Sequence, residues 1–238
     1  MPSPPQLRIN RRKYVPPTAD SLVEKIDTRL PSLPIHYLRT SRTRPKSIVV
    51  LFPSALNPNR GNRNRRIFVR STWAKEWPHA EVICFSDPAL DLDSRLNGAW
   101  FIHPSVDIIR VLADIIRDIA SEHSIAEENM VFYGSSLGGF GALMAAACFS
   151  EVHAVAEVPQ LDFRLWQRRA VLDVEKYLLN GADISAFTKK HPERVSVLHR
   201  FIKENRIPQF TGSSGFGVRS GVRGFDGCRL FFRGSRCR

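Results

Sequence analysis

Ser136 lies between two glycines, in Gly134-Ser135-Ser136-Leu137-Gly138, directly after the apolar run Met130-Val-Phe-Tyr133 and ahead of a Gly- and Ala-rich stretch, Leu137 to Phe149. A serine in a G-x-S-x-G turn between a strand and a helix is placed for nucleophilic attack on an acyl carbon. The turn lifts the hydroxyl clear of the backbone, and the free N–H groups of the helix start face it. On this reading Ser136 is the nucleophile and the backbone amide of Leu137 donates to the oxyanion. A second donor is expected from the loop after an earlier strand, where Pro53-Ser-Ala-Leu-Asn57 offers the N–H of Ser54 or of Ala55. The glycine spacing does not fit G-x-G-x-x-G and no Gly-Lys-Ser/Thr follows, which argues against a phosphate cradle.

Such a serine needs a base and an acid that orients it, both expected later in the chain. Three histidines follow Ser136. His153 opens a strand, so its five residues put it roughly 16 Å from the edge where Ser136 should sit. His191 precedes Pro192 at a helix start, and His199 shares a helix with Val195, Leu198 and Ile202. None occupies a loop after a late strand, so no triad histidine is assigned. Asp162, just past a strand end, is the candidate acid, with helix capping as its competing role. Asp87 follows an earlier strand and is out of order for a triad; it is expected to shape the pocket.

The elements that must position these groups are legible as short β-branched and aromatic runs with abrupt stops. Ile48-Val-Val-Leu-Phe52 ends at Pro53, Val82-Ile-Cys-Phe85 at Ser86-Asp87-Pro88, Met130 to Tyr133 at Gly134, and Val152 to Val158 at Pro159. Runs of this kind suit strands buried on both faces of a parallel sheet. Between the second and third runs, Val106, Ile109, Leu112, Ile116 and Ile119 recur at helical spacing, with Pro104 suited to the first turn. Asp107, Arg110, Asp114 and Arg117 lie on the other side of that helix. Further helical segments are expected near Phe163 to Leu179 and Glu193 to Asn205, and 206 to 210 approach another strand. This alternation predicts an α/β fold with a doubly wound, mostly parallel sheet. Ile35 to Tyr37 fit an earlier strand.

The segments Met130 to Ala147, Leu51-Phe-Pro-Ser-Ala-Leu56, Phe85-Ser-Asp-Pro88 and Val158-Pro-Gln-Leu-Asp162 resemble α/β-hydrolases of the serine esterase type. The resemblance is notably to uncharacterised members associated with bacterial polysaccharide clusters. The resemblance covers roughly residues 45 to 210 and implies hydrolysis of a carboxylic ester through an acyl-enzyme on Ser136. The implied substrate is a small-molecule or acylated-sugar ester, and no cofactor is implied. The missing histidine is the departure from the family, and it keeps open a catalytically impaired hydrolase fold.

Composition bounds the alternatives. The 238 residues suit one domain, divided here into a basic Pro/Arg-rich segment 1–46, a core 47–210 and a Gly/Arg-rich tail 211–238. No apolar stretch is long enough for a membrane span and no secretory h-region opens the chain, so a cytoplasmic protein is expected. The net charge of +12 is confined to the ends: residues 1–70 carry +12, 71–210 carry −5 and 211–238 carry +5. That distribution argues against specific nucleic-acid binding by the core, while a basic-tailed protein for an acidic partner is a further alternative. Cys84 and Cys148 sit in apolar runs, and Cys228 and Cys237 lie in the tail, so neither a disulfide framework nor a metal site is expected. The tail has seven Gly and six Arg in 28 residues with no Lys, Glu or Pro. It is expected to be disordered, leaving the sheet incomplete at its C-terminal edge. The oligomeric state is left open.

Overall fold

A computed structural model describes residues 22–56 and 66–213. The segment 1–21, most of the basic N-terminal stretch, lies outside the described residues, as does the tail from 214 onward with Cys228 and Cys237.

Seven strands form one sheet: β1 (Val23–Asp27), β2 (Ile35–Arg39), β3 (Ser47–Leu51), β4 (Ala80–Phe85), β5 (Met130–Ser135), β6 (His153–Glu157) and β7 (Gln209–Ser213). Their order is β1-β2-β4-β3-β5-β6-β7. β1 pairs antiparallel with β2, and β2 antiparallel with β4. Every other pairing is parallel. The architecture is α/β with a mostly parallel sheet. β7 runs to Ser213, three residues past the point where the sequence pattern stops. Its backbone pairs with β6 from His153↔Gln209 to Glu157↔Ser213. Parallel pairing uses backbone groups that every residue type carries, so Thr211, Gly212 and Ser213 join the sheet without an apolar pattern.

Among the described residues five α-helices lie between β4 and β7: α1 (Ile108–His123), α2 (Leu137–Ala146), α3 (Arg168–Tyr177), α4 (Ile184–Lys190) and α5 (Val197–Glu204). The start of α1 is set by Asp107, whose side chain accepts from Arg110 N–H, and not by Pro104, which lies ahead of the helix. α2 is buried at all ten positions, as its Gly/Ala content allows, and packs on β5 and β6. One face of the sheet, with Val50, Phe52, Ile83, Phe85, Phe132, Ala154 and Ala156, shares a core with α1 and α2. The opposite face is covered by a smaller cluster around Val49, Leu51, Val82, Cys84 and Ala74. Burial pushes the Cys84 thiol up to about 12, so it packs as a small apolar group.

The chain leaves β3 toward β4 on one side and then crosses to β5 on the other. Adjacent strands whose connections diverge in this way open a crevice at their carboxyl ends. The loop 53–56 after β3 and the turn at Ser136 after β5 meet there. A shallow cavity among Arg117, Ser121, Glu127, Met130 and Phe149 lies at the other end of β5, roughly 20 Å along the strand from Ser136. Among the described residues no helix is long and apolar enough to cross a membrane.

Candidate functional site

Ser136 occupies the position between β5 and α2 with φ 58 and ψ −119, far from the regions that a serine prefers. Strain of this kind costs on the order of 1–3 kcal/mol and persists only where the surroundings enforce it. The surroundings here are the adjacent glycines. A Cβ on Gly134 would lie 2.0 Å from the carbonyl oxygen of Gly138, and one on Gly138 would lie 2.7 Å from the carbonyl oxygen of Phe52. The strand, the helix start and the loop after β3 therefore touch through backbone alone. Ser136 N–H donates to the Glu157 carbonyl of β6 at 2.9 Å, and Phe140 N–H donates to the Ser136 carbonyl at 3.1 Å, which locks the turn at both ends.

Leu137 is the first residue of α2, where N–H groups have no partner within the helix. Ser54 is held against the turn that carries Ser136, its hydroxyl donating to the Ser135 carbonyl at 3.2 Å, and Ala55 beside it is exposed.

Asp162 is engaged elsewhere. Its carboxylate accepts from Arg164 N–H at 3.0 Å and from the Arg164 guanidinium, capping a short 3-10 turn at Phe163–Leu165. That is the capping role that competed with the acid role in the sequence.

All seven histidines fall within the described residues, and among those residues none is bonded to Ser136. His36 pairs with Glu24, His123 with Arg39 and His153 with Thr211. His103 accepts the N–H groups of Ser105 and Val106, His191 packs on the Phe187 ring, and the His79 carbonyl accepts from Lys46 N–H. His199 stays on α5, its Nδ1 buried.

What does touch Ser136 is Gln160, whose Nε2 donates to Ser136 Oγ at 2.7 Å. Gln160 Oε1 in turn accepts from Trp100 Nε1 at 3.2 Å. Neither residue stood out as a site residue in the sequence. The available signal was a polar side chain directly after the strand-ending Pro159, in the segment that carries the resemblance.

Trp100 is presented by an unusual loop. Trp100 and Phe101 both have positive φ, 51 and 56, yet both are buried. Asp87 explains how the loop holds. Its Oδ2 accepts from Ala99 N–H at 3.0 Å and from Phe101 N–H at 3.4 Å, while Oδ1 accepts from Ala89 N–H at 3.2 Å. The chain of contacts runs from Asp87 through the 99–101 backbone to Trp100, Gln160 and Ser136.

Burial drives the Asp87 carboxyl up to about 6, with the three backbone N–H donors pulling it back only in part. Because the folded value lies above the unfolded one, near 3.8, stability from this group is full below pH 4 and is lost as pH rises through about 6. Between pH 5 and pH 7 the loss is expected to be about 1 kcal/mol. Asp87→Asn should abolish that slope. It should also destabilise the loop, because an amide turns one oxygen into a donor facing other donors, which costs about 1–3 kcal/mol. Urea unfolding of both proteins at the two pH values measures both effects.

Neither protein-family models nor curated sequences match this chain. Solved structures do. The chain is similar to the glycosylation-associated protein complex Gap123 of Streptococcus agalactiae, with TM-score 0.56 and 17% identity over 81% of this chain. It is also similar to an S-formylglutathione hydrolase of Agrobacterium tumefaciens, with TM-score 0.54 and 14% identity over 81% of this chain and 74% of that one. A puromycin hydrolase matches with TM-score 0.51 and 16% identity over 82% of this chain and 30% of that one. The chain spans about a third of the Gap123 chain, 36%. At these identities the likeness is one of fold: the mostly parallel seven-stranded sheet with its helices is an α/β-hydrolase fold.

Proposed function

We propose that the chain is a serine hydrolase acting on a carboxylic ester, a small-molecule or acylated-sugar ester being the substrate class. Ser136 Oγ attacks the carbonyl carbon, forming a C–O bond as the carbonyl π bond opens to an oxyanion and the hydroxyl proton passes to solvent. The bond to the alcohol then breaks and the alcohol departs with a proton. Water attacks the resulting acyl-enzyme to release the acid and restore Ser136. Leu137 N–H, with that of Ser54 or Ala55, stabilises the oxyanion. The observation that carries this reading is the strained backbone of Ser136 at the strand-to-helix turn, with its positive φ of 58 and ψ of −119.

One observation favours a second reading, that of a hydrolase fold impaired in catalysis: the histidines make their contacts away from Ser136. A fluorophosphonate probe separates the two. On the first reading the wild type is labelled and Ser136→Ala is not. Absence of wild-type labelling, together with p-nitrophenyl acetate turnover at background, would establish the second.

A further inference from the structure

We infer that Gln160 is a catalytic residue that stabilises negative charge on Ser136 Oγ, and that Trp100 positions it by fixing which end of the amide faces the serine. The inference rests on Ser136 being the nucleophile. An amide can present either its oxygen or its nitrogen to a hydroxyl, and the two choices have opposite chemical effects. Here the choice is forced. An indole N–H donates and cannot accept, so the Gln160 oxygen must face Trp100 Nε1, 3.2 Å away. The NH2 group is left to face Ser136 Oγ at 2.7 Å.

Gln160 is 7% exposed and Trp100 3%, so water does not compete for these groups. Trp100 is held in turn against the Phe163 ring, with centroids 4.9 Å apart, and by the backbone that Asp87 pins.

Ser136 Oγ therefore accepts a hydrogen bond from the Gln160 side, and its own proton points elsewhere. Whatever takes that proton must approach from the open side of the crevice. As the proton leaves and charge grows on Oγ, the Gln160 N–H becomes a bond to an anion, which is about twice as strong as a neutral one. The same donor assists when the acyl-enzyme breaks and Oγ leaves as an anion.

The test is the rate of fluorophosphonate labelling as a function of pH. In that reaction the Oγ–P bond forms, the P–F bond breaks and the hydroxyl proton passes to solvent. Gln160→Ala should label roughly tenfold or more slowly, with its pH profile displaced upward by about one unit. Trp100→Phe should move the same way by a smaller factor, because the freed amide can turn its oxygen to the serine.

Gln160→Glu is the informative isostere. It keeps the acceptor for Trp100 but replaces the donor at Ser136 with a carboxylate oxygen. Labelling should then depend on ionisation of that carboxyl, a new limb in the pH profile that a purely structural role would not produce. The ionisable groups of the adjoining segments, Asp87 and His103, Asp162 with Arg164, and Glu157 with Tyr133 and Arg70, are retained in every variant, and thermal melts report whether each variant is folded.

Wild-type labelling with unchanged rates and profiles in folded Gln160→Ala and Gln160→Glu would overturn the assignment of Gln160 and leave Ser136 as nucleophile. Absence of wild-type labelling would overturn both.

Discussion

Replacing Arg200 by leucine is expected to destabilise the fold by about 3–5 kcal/mol, enough to lower the melting temperature by roughly 10 °C or more. Arg200 is completely buried. Its Nη2 donates to both oxygens of Asp107, at 2.7 and 2.8 Å, its Nη1 to Glu204 at 3.1 Å and its Nε to the Glu193 carbonyl at 3.1 Å. The guanidinium ties α5, which leads into β7, to the cap of α1. Leucine fills much of the space but leaves the Asp107 carboxylate without its cation in a poorly solvated place.

The charge is what matters, so Asp107→Asn in the Arg200→Leu background should recover part of the loss, since an amide oxygen can still cap α1. Burial raises the Asp107 carboxyl, but the Arg200 hydrogen bonds and charge outweigh it and leave the group below its ordinary 3.8. The contribution of this pair is therefore present above about pH 4 and is lost as pH falls through the lowered folded value. Salt should have little effect, because buried pairs are poorly screened. Chemical denaturation of the single and double variants measures the coupling.

Arg200 also marks a boundary of what the sequence discloses. The helix near Glu193 to Asn205 presents Val195, Leu198 and Ile202 as its apolar residues, yet Leu198 is 45% exposed and Ile202 57%, whereas Arg200 is wholly buried. The pairing with Asp107, 93 positions earlier, decides the outcome, and such a partner cannot be found from helical spacing.

The strands around Ser136 were legible for the opposite reason. Each is a short run ended by Pro, Gly or a Ser-Asp-Pro turn, and those signals act locally. The G-x-S-x-G turn at Ser136 is local too, with all its residues within five positions.

The Trp100 to Gln160 contact spans 60 positions and depends on positive φ at a tryptophan and a phenylalanine, which have no intrinsic preference for it. Tertiary structure creates that contact, with Asp87 as its anchor. Asp87 itself was placed after a strand by its position; of its three backbone donors Ala89 lies in the turn that Asp87 caps, whereas Ala99 and Phe101 come from a loop whose shape no pattern announces.

The sharpest test of the turn at Ser136 is Gly134→Ala, which is expected to cost about 3 kcal/mol or more, at the upper end of what overpacking produces. The added methyl carbon would sit 2.0 Å from the oxygen and 2.1 Å from the carbon of the Gly138 carbonyl, and 2.7 Å from Gly139 N. These are backbone atoms and cannot swing aside as a side chain can. Relief requires α2 to move away from β5 by more than an ångström. That helix is buried along its whole length, with Gly138 against the Phe52 carbonyl and Gly141 against the Phe101 ring, so it has nowhere to go without opening the core.

Gly181→Ala supplies the contrast. Gly181 has φ +81 and open space where a Cβ would stand, so only its backbone conformation is penalised, at about 1–2 kcal/mol. Melting curves should rank Gly134→Ala well below Gly181→Ala. Any folded Gly134→Ala should also lose probe labelling, because the displacement that admits the methyl group carries Ser136 and Leu137 away from the loop after β3. A Gly134→Ala protein as stable as Gly181→Ala and still labelled at Ser136 would show that the close approach of strand and helix is not what holds the serine in its strained position.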